Sequence, residues 1–254
     1  SIAMGRQAAL QQLIATVQRR WGTRALRRLG EDVPPAVAAL PTGFAALDAV
    51  LGIGGLPRGR LTELLGTPTS GATTLALTML ARAQAAGDLA GYVDLSRTFD
   101  AEIAVLLGVD LAALLLVRPA SAADALEIIL ALVGSGGLGA LMVDSLALLQ
   151  SDYQDATLLE QALRSLPTAL SASPTALVAL TQLPYTPAYT RALAFTGSLV
   201  GHAAALRLHV AREAWVIAEH GPPGCHARIS VLKNQLAPAG GDAQVLIQFP
   251  EAAP

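Results

Sequence analysis

The spacing of apolar residues divides the chain into a helical beginning and a longer part in which two periodicities alternate. Between residues 6 and 29 apolar side chains recur near helical spacing, which predicts a helix that Gly22 interrupts. Residues 31–41 contain Pro34, Pro35 and Pro41 and predict a linker. We therefore expect an N-terminal helical segment, residues 1–36, ahead of a core domain, residues 37–254.

Beyond the linker, short apolar runs typical of buried strands alternate with segments of helical spacing. The predicted strands are residues 60–65, 91–94, 114–117, 140–143 and 176–181. The predicted helices are residues 73–86, 100–107, 122–133 and 156–166. We expect Pro167 to end the last of these helices. This alternation predicts an α/β fold with a mostly parallel central sheet and helices on both faces.

The pattern changes after residue 203, where the strand-like runs follow one another without helices between them. These runs are residues 205–211, 214–219, 226–232 and 244–249. They predict an antiparallel extension of the sheet.

Composition narrows the class of protein. Apolar residues make up 53% of the chain and charged residues 14%, which is enough for a large buried core. No apolar run is long enough to span a bilayer, so we expect a soluble protein without a membrane partner. The single cysteine fits a reducing cytoplasm, which is the expected location. Cys225 is the only cysteine, which excludes a disulfide framework. His220 and His226 flank it across a Gly-Pro-Pro-Gly turn, which we interpret as a hairpin tip, so no metal site is expected.

Charge is distributed unevenly although the net charge is only −2. The first 30 residues contain six arginines and no acidic residue, so the remainder of the chain is acidic. The arginines are Arg6, Arg19, Arg20, Arg24, Arg27 and Arg28. Such a basic helix predicts an anionic partner, either nucleic acid or an acidic protein surface, and the alternative is a solvated helix face.

A glycine-containing turn between the strand at 60–65 and the helix at 73–86 matches the phosphate-loop spacing G-x-x-x-x-G-x-[ST]. Its residues are Gly66, Thr67, Pro68, Thr69, Ser70, Gly71, Ala72, Thr73 and Thr74. In such loops backbone N–H groups hold phosphates, a lysine neutralises them and a hydroxyl binds Mg²⁺. Ala72 stands where the lysine belongs. The sequence therefore predicts a degenerate nucleotide-binding loop and no bound cofactor, with weak binding of ATP and Mg²⁺ as the alternative.

Several segments together resemble the RecA recombinase family. They are residues 28–32, 41–48, 54–60, 92–94, 107–110, 141–145 and 231–234, together with the loop. The resemblance covers residues 8–249 and implies a RecA-like P-loop core.

The resemblance also assigns roles, and some of the residues depart from them. Asp144 matches the Walker B aspartate, and Gln182 matches the glutamine that senses nucleotide. Ser96 stands where the family has its catalytic glutamate, and Ile103 stands where an aromatic residue stacks on adenine. With Ala72, these departures predict a pseudo-ATPase without catalytic residues.

Two segments are candidates for macromolecular contacts under the same resemblance. The region 183–202 corresponds to a DNA-binding loop, and its candidate DNA or partner contacts are Tyr185, Tyr189, Arg191 and Phe195. The N-terminal helix corresponds to a segment that docks on a neighbouring protomer. Its expected apolar anchors are Leu13, Ile14, Val17 and Trp21. Packing of these four residues on their own core is the alternative.

The leading hypothesis is a non-hydrolysing accessory protein in DNA repair, DNA recombination or the SOS response. Residues 57–65 and the degenerate loop resemble those of ImuA-type members, which implies a protein partner, either RecA or a translesion polymerase subunit. Single-stranded DNA is the second expected partner, and a homo-oligomer is a further prediction. The alternatives are a weak DNA-dependent ATPase that uses Thr73 and Asp144, and a structural oligomer without DNA contacts.

Overall fold

The computed structural model describes residues 2–22, 37–150, 153–184, 198–216 and 223–248. The chain divides into two compact units, Ser1–Ala36 and Val37–Pro254. Several predicted contact residues lie outside the described residues. They are Arg24, Arg27, Arg28, Tyr185, Tyr189, Arg191, Phe195 and His220.

The described part of the N-terminal unit is one helix, α1, Ile2–Trp21. Gly22 follows it with a φ of 87° and donates its N–H to the carbonyl oxygen of Gln18 at 2.9 Å. Glycine adopts this left-handed conformation without a steric penalty, which explains why the helix ends here. Arg19 and Arg20 lie in the last turn, where cations interact favourably with the helix dipole.

The second unit contains six α-helices among its described residues. They are α2 Ala45–Leu51, α3 Ala72–Ala85, α4 Ala101–Leu106, α5 Ala122–Gly134, α6 Tyr153–Ser171 and α7 Leu199–Ala203. Its strands are β1 Ala39–Leu40, β2 Leu56–Pro57, β3 Arg60–Gly66, β4 Ala90–Asp94, β5 Leu114–Val117, β6 Ala140–Asp144, β7 Ala176–Gln182, β8 Leu206–Val216, β9 Gly224–Asn234 and β10 Asp242–Gln248. Short 3₁₀ turns cover Leu111–Ala113 and Leu146–Gln150.

Eight strands form one sheet in the order β10-β9-β8-β3-β7-β6-β4-β5. The strands from β8 to β5 pair in parallel, whereas β8 with β9 and β9 with β10 pair antiparallel. The predicted α/β fold, with a mostly parallel sheet and an antiparallel extension, is confirmed. β1 and β2 form a separate antiparallel pair.

The sheet buries both of its faces, as the continuous apolar runs of its parallel strands require. In β6, Ala140 and Met142 pack in the cluster that includes α3, while Leu141 and Val143 pack in the cluster that includes α5 and α6. All four are fully buried. This two-sided packing fixes where each strand ends, and therefore fixes the polar residues that follow.

Two predicted boundaries are wrong. Pro167 lies inside α6, which continues to Ser171. A proline inside a helix costs about 3 kcal/mol. Leu166 and Leu170 on either side are 4% and 3% exposed, and burying two leucines contributes about 3–6 kcal/mol, so the last turn forms despite the proline.

The second correction concerns β8. The run predicted as a strand at 205–211 and the described part of the run predicted at 214–219 belong to one strand, Leu206–Val216. A register shift between Arg212 and Ala214 in its pairing with β9 accommodates the polar residues there. An extra residue at a bulge interrupts the alternation, which is why the pattern suggested two strands.

Candidate functional site

The phosphate-loop sequence lies at the carboxyl end of β3 and leads directly into α3. This is where ligands bind in open α/β sheets, because backbone N–H groups at the helix N-terminus face the crevice. Gly71 precedes α3 with a φ of 94°, and a Cβ atom there would lie 2.7 Å from Cδ1 of Ile247. A Cβ atom on Gly66 would collide with Oγ of Ser70. Both glycines are therefore required for the loop to close against its neighbours.

A cavity of about 430 Å³ opens beside this loop. It is lined by Gly66, Thr67, Pro68, Thr69, Ser70, Gly71, Ala72, Thr73, Thr74, Ser96, Thr98, Asp144, Leu180, Thr181, Gln182 and Trp215. The structure thus places the predicted loop, Asp144 and Gln182 around one space. Among the described residues that line it, Asp144 is the one charged side chain.

Ala72 is the first residue of α3, so the position expected for a lysine carries a methyl group. The backbone cradle and the Thr73 hydroxyl remain, and both suit a phosphate and its Mg²⁺ ion. The residues present therefore fit the binding of a triphosphate through backbone groups. Within the described part of the chain, no lining residue supplies the positive charge that a working phosphate loop provides.

Asp144 ends β6 and already accepts two hydrogen bonds. Tyr92 donates its hydroxyl to Oδ2 of Asp144 at 3.0 Å, and Thr98 donates to the same oxygen at 3.3 Å. Burial, followed by the charge of Asp144 and the hydrogen bond to it, raises the pKa of Tyr92 far above its ordinary value. Tyr92 therefore stays protonated as a donor, and it holds the Asp144 carboxylate in place.

Asp94, at the end of β4, lies opposite Asp144 in the register of the sheet. It is fully buried, and Arg118 donates Nε to its Oδ2 at 2.9 Å. Oδ1 of Asp94 accepts the backbone N–H of Thr98 at 3.0 Å. Ser96, two residues farther on, shares a hydroxyl–hydroxyl hydrogen bond of 2.6 Å with Thr98. A hydroxyl in this network is not a general base at neutral pH, because it carries no available negative charge.

Comparison with known proteins agrees with this architecture. The family model of the RecA N-terminal domain matches residues 8–253. The chain belongs to the RecA family.

Curated relatives match at similar levels. Protein RecA of Mycolicibacterium gilvum is 38% identical over 97% of this chain and 75% of its own length. Protein RecA of Frankia casuarinae is 38% identical over 92% of this chain and 72% of its own. Protein RecA of Rhodococcus jostii is 38% identical over 97% of this chain and 76% of its own length. Membership of the RecA family, predicted from the sequence, is confirmed.

In the RecA-type core, a buried ion pair is hydrogen-bonded to Thr181, a residue that lines the cavity. Glu63 in β3 is fully buried and accepts Nε of Arg207 in β8 at 2.6 Å. Thr181 and Ser198 donate to the other oxygen of Glu63 at 2.9 and 3.2 Å. The ion pair links β3, β7 and β8 and fixes the strand end that carries Thr181 and Gln182. The distant partner of Glu63, Arg207, was not predicted from the sequence.

Lys233 in β9 donates Nζ to the carbonyl oxygens of Gly201 and His202 at 3.1 and 3.0 Å. Burial, with a smaller effect of the Arg207 charge, lowers the pKa of Lys233 from its ordinary value.

Sequence reasoning missed Arg212 and Trp215. Trp215 lines the cavity, and Arg212 donates Nη1 to the carbonyl oxygen of Thr69 in the loop at 2.7 Å. The guanidinium carbon of Arg212 lies 4.2 Å from the centre of a Trp215 ring, which is a cation–π distance. The missed signal was the absence of glycine and proline between residues 206 and 216, which favours one long strand reaching the loop.

In the described part of the second unit, and in α1, no helix is long and apolar enough to cross a membrane.

Proposed function

We propose that this chain is a non-hydrolysing, RecA-like accessory protein of DNA repair and recombination. The observation that carries the proposal is the chemistry of the cavity beside the loop, where Ala72 and Ser96 stand in the positions of the cation and the base. Loss of a single transition-state donor costs about 2.7–4 kcal/mol in activation free energy, or a factor of about 10²–10³ in rate. Two such losses in one site leave little cleavage.

The hydrogen bonds of the two aspartates support the same proposal. Arg118 neutralises Asp94, which keeps this carboxylate from activating water. Tyr92 and Thr98 engage Asp144, which can still bind a metal ion through its other oxygen. No further carboxylate lines the cavity among the described residues.

An accessory protein acts through its contacts, and the N-terminal helix offers two kinds of surface for them. Leu13 and Trp21 are 57% and 61% exposed, and Arg19 and Arg20 are exposed beside them. Exposed aromatic and arginine side chains are common anchors of protein interfaces. The resemblance to ImuA-type proteins favours RecA or a translesion polymerase subunit as the partner, with single-stranded DNA as a second ligand of the arginines.

A weak DNA-dependent ATPase is the second candidate. Thr73, Asp144 and Gln182, which the resemblance connects with Mg²⁺ and nucleotide sensing, all line the same cavity. This shared position favours retained nucleotide chemistry, with water activated by a group other than Ser96.

Release of phosphate from Mg-ATP by the purified full chain, with and without single-stranded DNA, separates the two candidates. The accessory proposal predicts the same release as from the Asp144→Ala variant under both conditions. DNA-stimulated release that disappears in Asp144→Ala supports the ATPase instead. Binding to purified RecA and to a translesion polymerase subunit tests the partner directly, and binding to neither would refute the accessory role.

A further inference from the structure

The loop that lacks its lysine is contacted by a cation from another part of the sheet. Arg212 reaches Thr69 from β8, which is 143 residues away along the chain. Arg212 also contacts the Trp215 ring, and its charge acts on the buried thiol of Cys225. An arginine has five N–H donors, so four of them are available to a ligand.

The bulge in β8 places Arg212 and Trp215 on the same face. Arg212 pairs with Ala227 in β9, and Trp215 pairs with Cys225. Ala227 and Cys225 are two residues apart and both belong to the buried cluster on the α3 side of the sheet. Without the extra residue, side chains three positions apart would point to opposite faces. The bulge is therefore the feature that presents both side chains to the phosphate loop.

We propose that Arg212 is the phosphate-binding cation of this site and allows the loop to hold a triphosphate that the protein does not cleave. Arg212 is not itself among the lining residues but contacts two of them, Thr69 and Trp215, and it reaches a bound phosphate by exchanging the Thr69 carbonyl oxygen for a phosphate oxygen. Guanidinium groups suit this exchange because their planar donors match two oxygens of one phosphate.

The remaining charges around the cavity assign the role to Arg212 rather than to another group. Asp144 repels a triphosphate unless Mg²⁺ lies between them. Arg118 is held by the buried carboxylate of Asp94, and Arg97 donates Nη2 to the carbonyl oxygen of Pro119 at 2.8 Å. Of these three arginines, Arg212 is the one that bonds the phosphate loop itself. The hydrogen-bond acceptor of Arg212 is a neutral carbonyl oxygen, so its transfer to a phosphate leaves no carboxylate unpaired and costs less than transfer of Arg118.

This inference rests on the proposed function, because binding without cleavage is what a non-hydrolysing member of the family can use as a signal. The proposed function and this inference can be refuted independently of each other. Phosphate release tests cleavage, whereas the experiment below measures binding alone.

Binding is measured by isothermal titration calorimetry on the purified full chain, with ATP and with inorganic tripolyphosphate, each with Mg²⁺. The chain contains two tryptophans, so a Trp21→Phe background leaves Trp215 as the only one and its fluorescence reports whether the ligand reaches it. Arg212→Ala removes the cation. Arg212→Gln keeps a donor for Thr69 but has no charge, which separates loss of charge from disturbance of the loop. Arg228→Ala is the matched control, since Arg228 is an arginine of the neighbouring strand with its own acidic partners, Glu213 and Asp242.

The expected result is saturable binding of both probes with a change in Trp215 fluorescence. A charge-assisted hydrogen bond predicts affinities about 10- to 100-fold weaker in both Arg212 variants, and an unchanged affinity in Arg228→Ala. Adenosine alone should bind far more weakly than either probe. Equal affinities in Arg212→Gln and the parent, binding of adenosine as tight as that of ATP, or no binding of either probe would each overturn the proposal.

Discussion

Arg118 donates its Nε hydrogen to the fully buried carboxylate of Asp94 at 2.9 Å, and the same carboxylate accepts the backbone N–H of Thr98, a residue that lines the cavity. The pair places a positive charge close to Ser96 and leaves Asp94 with a structural role. Thr98, whose backbone N–H bonds Asp94, also donates its hydroxyl to Asp144, so the Arg118–Asp94 pair and Asp144 form one connected network.

Arg118→Ala should lower the free energy of unfolding by about 1–3 kcal/mol, because Asp94 loses a charged partner while it remains buried. The Arg118 side chain is 45% exposed, so water replaces part of the bond and keeps the loss below that of a fully buried pair. Urea denaturation followed by circular dichroism measures the change. Arg164→Ala breaks an exposed ion pair with Glu160 and should cost less than about 0.5 kcal/mol. Equal losses in the two variants would contradict the structural role of Arg118.

Arg207→Met should cost more, about 3–5 kcal/mol, because it leaves the Glu63 carboxylate buried without its cation. Arg207 and Glu63 side chains are only 7% and 0% exposed, so little water can compensate. The same denaturation assay measures the loss, and a combined Glu63→Gln and Arg207→Met variant should recover part of it. If Arg207→Met alone were as stable as the parent, the Glu63–Arg207 ion pair would not hold β3 to β8.

Tyr92 makes stability dependent on pH in the alkaline range. Its pKa in the folded protein is raised above the ordinary value of 10.0 because burial and Asp144 disfavour the phenolate. The folded state therefore keeps its proton where the unfolded state loses it. The contribution of Tyr92 to the free energy of unfolding is complete below pH 10. It is lost as the pH rises above that value, at up to about 1.4 kcal/mol per pH unit.

Tyr92→Phe removes this dependence, since phenylalanine has no proton to lose. Thermal unfolding between about pH 9 and 11 should show a smaller loss of stability in Tyr92→Phe than in the parent. At neutral pH the variant should be about 1 kcal/mol less stable, because Asp144 loses one donor. Parallel pH profiles for the two proteins would contradict the raised pKa of Tyr92.

Restoring the missing groups tests the chemical account of the loop. Ala72→Lys should raise the affinity for ATP by about 10-fold or more through a new charge-assisted hydrogen bond, without creating turnover. Adding Ser96→Glu to it should produce measurable phosphate release, because both the cation and the base are then present. Ala72→Met is the control for side-chain length without charge. Turnover in Ala72→Lys alone would indicate that another base already activates water.

The sequence predicted the parts of the site that depend on local order along the chain. The loop was recognisable from its glycine spacing between a strand and a helix, whereas Asp144 and Gln182 were assigned through the resemblance to the RecA family. Arg118, Arg207 and Arg212 were not recognised. Their partners Asp94, Glu63 and Thr69 are 24, 144 and 143 residues away, and the pattern of a single strand carries no information on such pairing.

The boundaries that failed did so for reasons of packing. Pro167 marks a helix end by its own chemistry, yet the burial of Leu166 and Leu170 outweighs the lost hydrogen bond. The bulge after Arg212 removed the alternation that would have identified β8 as one strand. Both errors arise where tertiary contacts override a local preference.

Single-turnover cleavage tests the central claim most directly. Full-length protein in excess over Mg-ATP labelled on the γ-phosphate, with single-stranded DNA present, reveals even a slow chemical step. The account predicts that the parent protein cleaves ATP no faster than the Asp144→Ala variant does, even under conditions in which calorimetry shows ATP bound. Cleavage by the parent protein that the Asp144→Ala variant lacks would contradict it.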